Sequence, residues 1–209
     1  MDVEILKPFG PSIVKLKLPE KIIQEMNNYT EDVIKDNEKL NKLNWGKQLV
    51  GNVHQEFRLN VEFMQKIKWA EFLAEACQEW VSYERKINLK GFKIINSWIV
   101  RQFKNEYNPL HHHGGHISGV GYLKVPKNLG NTIQDNKSDD KNNNGKLELV
   151  DGSRKIFCRA NYLITPKVGD FYLFPHYLLH SVYPFSNSEE ERRSVSFNAT
   201  IESDSFADL

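Results

Sequence analysis

His111 and His113 stand two residues apart in the stretch Asn108-Pro109-Leu110-His111-His112-His113-Gly114-Gly115-His116. On extended backbone alternate side chains project from one face, so imidazoles 111 and 113 share a face while His112 takes the opposite one. His116 follows Gly114-Gly115, where the chain is expected to bend away. A third imidazole, His180, lies some seventy residues on in Phe174-Pro175-His176-Tyr177-Leu178-Leu179-His180-Ser181-Val182. His111, His113 and His180 therefore have the makings of a mononuclear metal site. Three protein ligands leave coordination positions open for chemistry, whereas structural zinc prefers four closed, usually thiolate-rich ligands. Cys77 and Cys158 lie far in sequence from each other and from the histidines, which argues against a zinc finger.

A second candidate lies in Glu191-Arg192-Arg193-Ser194-Val195-Ser196-Phe197-Asn198. Read with a period of two, Arg192, Ser194, Ser196 and Asn198 share one face, and Arg193, Val195 and Phe197 share the other. The polar face selects Arg192 as the guanidinium that would offer its planar fork to a carboxylate. The competing reading is a surface ion pair with Glu189, Glu190 or Glu191. Asp170, after Gly169, reads as a turn residue rather than a ligand. Pro175 is expected to end a strand and help aim His180. Trp98 and Tyr122 read as core aromatics that could also line a pocket.

These side chains need strands to hold them. Short β-rich runs occur near 94–103, 117–125, 146–151, 156–164, 169–174 and 192–201, and the earlier run 12–18 alternates in the same way. Helices precede them. Pro19 opens a stretch with an apolar stripe of Ile22, Ile23, Met26, Val33 and Ile34, in which Asn27-Asn28-Tyr29-Thr30 is a weak point. Residues 66–82 form the clearest helix, because Trp69, Phe72, Leu73, Ala76, Cys77, Trp80 and Val81 recur at the spacing of one buried face. Cys77 there reads as a small buried hydrophobe. Helices first and strands afterwards give an α+β class. The stretch 128–145 is nearly free of apolar groups and cannot bury a core, so it reads as a hairpin tip rather than a lid.

At 209 residues and 40% apolar content the chain fits one domain, with 1–93 supplying an N-terminal strand and supporting helices and 94–201 the β-rich core. Lys and Arg number 28 against 27 Asp and Glu, a net charge of +1, so no overall basic field recommends nucleic acid as a partner. The N-terminus has no long apolar run and reads as neither secretory signal nor membrane span. Two isolated cysteines suit free thiols and a cytoplasmic location. Oligomerisation is left open.

Four motifs in order resemble the 2-oxoglutarate/Fe(II)-dependent dioxygenase superfamily, in particular a bacterial and viral branch of 2-oxoglutarate-Fe(II) oxygenases. They are Asn96-Ser97-Trp98; His111-x-His113 with Ile117-Ser118-Gly119-Val120-Gly121-Tyr122-Leu123; Gly169-Asp170-Phe171-Tyr172-Leu173-Phe174-Pro175 with His180; and Arg192-x-Ser194-x-Ser196-Phe197-Asn198. The resemblance covers about half the chain, from Asn96 to Ala199. It implies a double-stranded β-helix, or jelly roll, with the early helices packed outside. It also implies Fe(II) held by His111, His113 and His180, and 2-oxoglutarate anchored by Arg192 and Ser194. Dioxygen would be the other co-reactant and an unidentified substrate would be hydroxylated. Gln102 stands roughly where related hydroxylases carry a tyrosine that touches the cosubstrate. His113 departs from the superfamily's usual Asp or Glu, and three neutral imidazoles would leave iron more electropositive than two imidazoles and a carboxylate. That departure keeps open a cupin-like three-histidine metalloenzyme that does not use 2-oxoglutarate. A non-enzymatic jelly-roll binding module is the remaining reading.

Overall fold

The computed structural model describes residues 2–130, 142–152, 156–186 and 188–203. The chain opens with β1 (Val3–Leu6) and β2 (Ile13–Lys17), then α1 (Glu20–Ile34), α2 (Asn37–Leu43), β3 (Gln55–Arg58), α3 (Val61–Lys66) and α4 (Trp69–Arg85). The β-rich part follows as β4 (Gly91–Gln102), β5 (Asn108–His111), β6 (Ile117–Lys124), β7 (Leu147–Val150), β8 (Asn161–Ile164), β9 (Asp170–Pro175), β10 (Leu179–Val182) and β11 (Arg192–Glu202). Every strand pairing is antiparallel. A seven-stranded sheet has the order β1-β2-β9-β6-β11-β4-β3, and a four-stranded sheet has the order β5-β10-β7-β8.

The large sheet has two differently used faces. One carries Leu16, Ile99, Leu123, Phe171, Leu173, Val195, Phe197 and Ala199, which join the stripes of α1 and α4 in one apolar cluster. Trp69 lies at its centre, edge-on to Phe171 and Phe197, and its indole N–H donates to Ser97 Oγ at 3.1 Å. The opposite face meets the small sheet through Phe9, Ile13, Tyr122, Tyr172 and Phe174 against Leu147, Leu149, Ile164 and Leu178. This arrangement is an α+β jelly-roll core with external helices.

Aromatic rings from the neighbouring strands explain the glycines of β6. A Cβ on Gly119 would lie 2.4 Å from Phe197, and one on Gly121 would lie 2.5 Å from Phe171 and 2.8 Å from Leu18. The aromatic layer thus reaches down to the β6 backbone, and only glycine leaves it room.

Several elements differ from the sequence expectation. The helix expected over 66–82 is α4, with the expected buried stripe, but it starts three residues later and runs on to Arg85, because Lys68 adopts a left-handed φ of 55° and separates it from the short α3. The weak point at Asn27–Thr30 does not break α1: Tyr29 OH instead accepts from the Asn60 N–H, and Thr30 Oγ1 donates to the Met26 carbonyl. The strand expected over 156–164 is formed only from Asn161. The short edge strand β3, which carries no long alternation of its own, was not expected. Of the polar stretch 128–145, residues 131–141, where a hairpin tip was expected, lie outside the described residues.

Replacing Gly121 by Val should lower stability by about 1–3 kcal/mol or prevent folding, as overpacking does in a filled core. Gly114→Val, where nothing lies within 4 Å of the added Cβ, should be far milder. Equal losses in denaturant unfolding of the two variants would refute the close packing of Phe171 and Leu18 on β6.

Candidate metal and cosubstrate site

Antiparallel pairing of β10 with β5 sets His180 directly opposite His111, with ring centroids 4.2 Å apart. His113 lies just past the end of β5 and still turns to the same side, its ring 4.9 Å from that of His111 and 4.8 Å from that of His180. One ring nitrogen from each residue lies within 4.8 Å of the others. The Nε2 atoms of His113 and His180 are 3.1 Å apart. Nitrogens bound at roughly 2.1 Å to one ion at right angles would stand roughly 3 Å apart, so this spacing suits adjacent coordination positions.

Backbone carbonyls orient two of the rings. His111 Nδ1–H donates to Pro109 O at 2.7 Å, and His180 Nδ1–H donates to Leu178 O at 2.9 Å, which leaves both Nε2 atoms to face the cluster. His113 is held through its main chain: its N–H donates to His176 O at 3.1 Å, and its carbonyl accepts from His176 Nδ1–H at 2.9 Å. Trp98 adds an edge contact to the His113 ring. His176 was not singled out from the sequence; its only signal was its place beside Pro175 at the end of β9.

Burial, and secondarily the neighbouring His111, lowers the pKa of His113 to about 4 and that of His180 to about 3; burial also lowers that of His111. Neutral imidazoles with available lone pairs are what a metal requires. His112 is exposed and lies at the same cavity, but it is not among the three residues whose ring nitrogens converge. His116 lies beyond Gly115, whose φ is +99°, and its ring accepts from the Ile201 N–H near the end of β11. Asp170 is also remote from the cluster: it pairs with Lys17 and accepts from Tyr172 OH.

The same cavity wall contains Arg192, Ser194, Ser196, Trp98, Val100 and Phe174. Arg192 is 2% exposed and donates from Nη1 to Gln102 Oε1 at 2.6 Å, with its guanidinium over the Tyr122 ring. Two buried polar atoms here, Arg192 Nε and Tyr122 OH, have no hydrogen-bond partner among the described residues. Buried polar groups are rarely left unpaired, so this pair is suited to an anionic ligand with several acceptor oxygens. Arg193 goes the other way, toward the helices, where it binds Glu31 at 2.8 Å, Glu191 at 2.7 Å and Asn27 Oδ1 at 3.0 Å. The ion pair with Glu191 thus belongs to Arg193 and not to Arg192. Leu49, Val50, Glu56 and Asn108 also line the cavity and were not anticipated.

Residues 96–198 match the family described as "Putative 2OG-Fe(II) oxygenase". The chain belongs to the 2-oxoglutarate/Fe(II)-dependent oxygenases, and its cofactors are Fe(II) and 2-oxoglutarate. Its fold is similar to that of a prolyl-4-hydroxylase from Pseudomonas putida, at 12% identity over 90% of this chain and 93% of that one, with a TM-score of 0.59. HygX of Streptomyces hygroscopicus, solved with nickel, 2-oxoglutarate and hygromycin B, is similar at 10% identity over 91% and 83% of the two chains, with a TM-score of 0.58. A viral collagen prolyl hydroxylase of Paramecium bursaria Chlorella virus-1, in complex with 2-oxoglutarate, aligns at 14% identity over 90% and 94%, with a TM-score of 0.54. No curated protein matches the chain in sequence. Among the described residues no helix is long and apolar enough to cross a membrane.

The depressed imidazole pKa values have a defined sign. Between about 4 and the ordinary 6.5 the unfolded chain binds protons at His113 that the folded chain does not, so metal-free stability rises with pH through that window and falls as pH drops through it. His180 acts likewise from about 3 upward. Glu31, held to about 2 by Arg193, contributes the same sign at lower pH, so the comparison needs a histidine variant. Urea unfolding of metal-free protein should show a smaller loss from pH 7 to pH 4.5 in His180→Asn than in the parent. An identical loss would contradict a buried neutral His180.

Proposed function

We propose that His111, His113 and His180 hold Fe(II), that Arg192, Ser194 and Tyr122 receive the distal carboxylate of 2-oxoglutarate, and that the enzyme hydroxylates a C–H bond of its substrate. The observation that carries this reading is the meeting, in one cavity, of three inward-facing imidazoles and a buried guanidinium with an unpartnered N–H. The donor set fits the cofactors: imidazole suits iron, and three protein ligands leave positions for a chelating 2-oxo acid and dioxygen. When bound, iron and 2-oxoglutarate supply the oxidation, in which one atom of dioxygen enters succinate and the other the substrate, with loss of carbon dioxide.

The chain's own residues do the rest. Pro109 and Leu178 carbonyls fix the tautomers of His111 and His180, so their Nε2 lone pairs point to one place. Gln102 takes one N–H of Arg192 and sets the angle of the fork, while Nε stays without a protein partner and is left for the cosubstrate. This is a positioning role, and it occupies the place where the resemblance led us to expect cosubstrate contact. Ser194 sits two residues along the same strand face, close enough in register to add a hydroxyl donor. Trp98, Phe174 and Leu147 make that part of the wall apolar, which keeps water from the reacting centre. Family membership favours this reading over a cupin-like enzyme without 2-oxoglutarate and over a binding module.

Adding 2-oxoglutarate to the anaerobic Fe(II) protein should produce a weak visible absorption band; metal binding without the band would favour the cupin-like reading. His111→Ala and His180→Ala should each lose metal strongly, and His112→Ala should not. Arg192→Ala should weaken 2-oxoglutarate binding with iron retained. Truncating one partner of a buried charged hydrogen bond costs on the order of 2–5 kcal/mol, or tenfold and more at about 1.4 kcal/mol per decade. Arg193→Ala should instead lower thermal stability and leave 2-oxoglutarate affinity nearly unchanged. Calorimetry that reversed the two arginines would overturn the cosubstrate pocket.

A further inference from the structure

The cavity that holds the imidazoles and Arg192 contains one carboxyl among its described lining residues, that of Glu56. It comes from β3, where Glu56 pairs with Val100 and shares the cavity-facing side of the sheet, while Phe57 and Ile99 face the helices. Glu56 is only 5% exposed, and its Oε1 has no hydrogen-bond partner among the described residues. The catalytic roles assigned above make no use of it.

A buried acidic group is normally paired with a cation or with hydrogen-bond donors, since an unpaired charge in such a place is costly. Arg192, the one arginine or lysine among the described lining residues, is bonded to Gln102 and is assigned to the cosubstrate. Burial, and after it the negative potential of Glu106, raises the Glu56 carboxyl to about 7, so a cation beside it is what would hold it ionised at neutral pH. What is missing beside Glu56 is therefore positive charge with N–H donors. An ionised carboxylate only accepts hydrogen bonds, so its partner has to donate. Leu49 and Val50 lie along the same wall, and Val50 is 54% exposed. They offer methylene groups an apolar path from solvent to the carboxyl.

We propose that the substrate carries an ammonium group at the end of an aliphatic chain, and that Glu56 binds this ammonium and so selects which C–H bond reaches the metal. The inference rests on the proposed catalytic cavity and adds the class of substrate. A neutral or anionic substrate would leave the carboxyl unpaired or repel it, so Glu56 also rejects competitors.

The test uses the full chain loaded with Zn(II) and 2-oxoglutarate, and saturation-transfer NMR with three probes of equal chain length: n-hexylammonium, n-hexanol and hexanoate. n-Hexylammonium should bind at least about tenfold more tightly than the other two, the weight of one hydrogen bond to a charged group. Glu56→Gln should abolish that preference while 2-oxoglutarate affinity stays at the parent value. Equal binding of the three probes by the parent, or an undiminished preference in Glu56→Gln, would overturn the proposal. The charge series on the parent needs no variant, so a poorly folding Glu56→Gln would not rescue it. Failure of the parent to bind 2-oxoglutarate would instead count against the cosubstrate pocket, which separates the two readings.

Discussion

The alternation of side chains along β11 is the constraint on which the rest of the molecule depends. With a period of two, Val195, Phe197 and Ala199 are committed to the apolar layer beneath α1 and α4, and this delivers Arg192, Ser194 and Ser196 to the cavity. A slip of one residue would bury Arg193 among the imidazoles and expose Phe197 to the polar cavity. The register is therefore held by the hydrophobic cost of every residue on the strand. Trp69, stacked on Phe72 and edge-on to Phe171 and Phe197, is the largest fully buried side chain of that lock. The glycines of β6 let the lock close fully.

Electrostatics divides along the same sheet. On the helix side, Arg101 and Arg193 converge on Glu191, and Glu31 joins from α1, so the charges there are mutually satisfied and belong to structure. On the cavity side, charge and hydrogen-bonding capacity are left incomplete at Arg192, Tyr122 and Glu56. Incomplete groups are costly in a fold and useful in a site, because a ligand that completes them gains what the protein gave up. The low proton affinity of the histidines follows from the same burial: a cavity dry enough to disfavour imidazolium keeps lone pairs available for metal.

Much of this was legible before any coordinates. His111 and His113 two apart, Arg192 on the polar side of an alternating strand, and the apolar stripe of Trp69, Leu73, Ala76 and Trp80 are local patterns, and each appears in the structure on the face that the pattern requires. The less legible parts are those whose meaning depends on distant neighbours. Lys68 does not announce a left-handed residue, and Asn27–Thr30 looks like a helix break until Tyr29 and Thr30 are seen to find partners. Nothing local in the sequence showed that Gln102 would accept a hydrogen bond from Arg192.

By itself the sequence determined the class of fold and the strand faces, and it picked out three histidines and one arginine as candidates, because periodicity and residue type act over a few bonds and survive in any arrangement. Only the tertiary structure decided that His180 stands across from His111, that His176 holds His113 by its main chain, and that Glu56 from a short edge strand enters the same cavity. Those relations are set by backbone pairing between segments tens of residues apart. Such pairing is chosen by the burial of the whole core, and no local pattern in the chain encodes it.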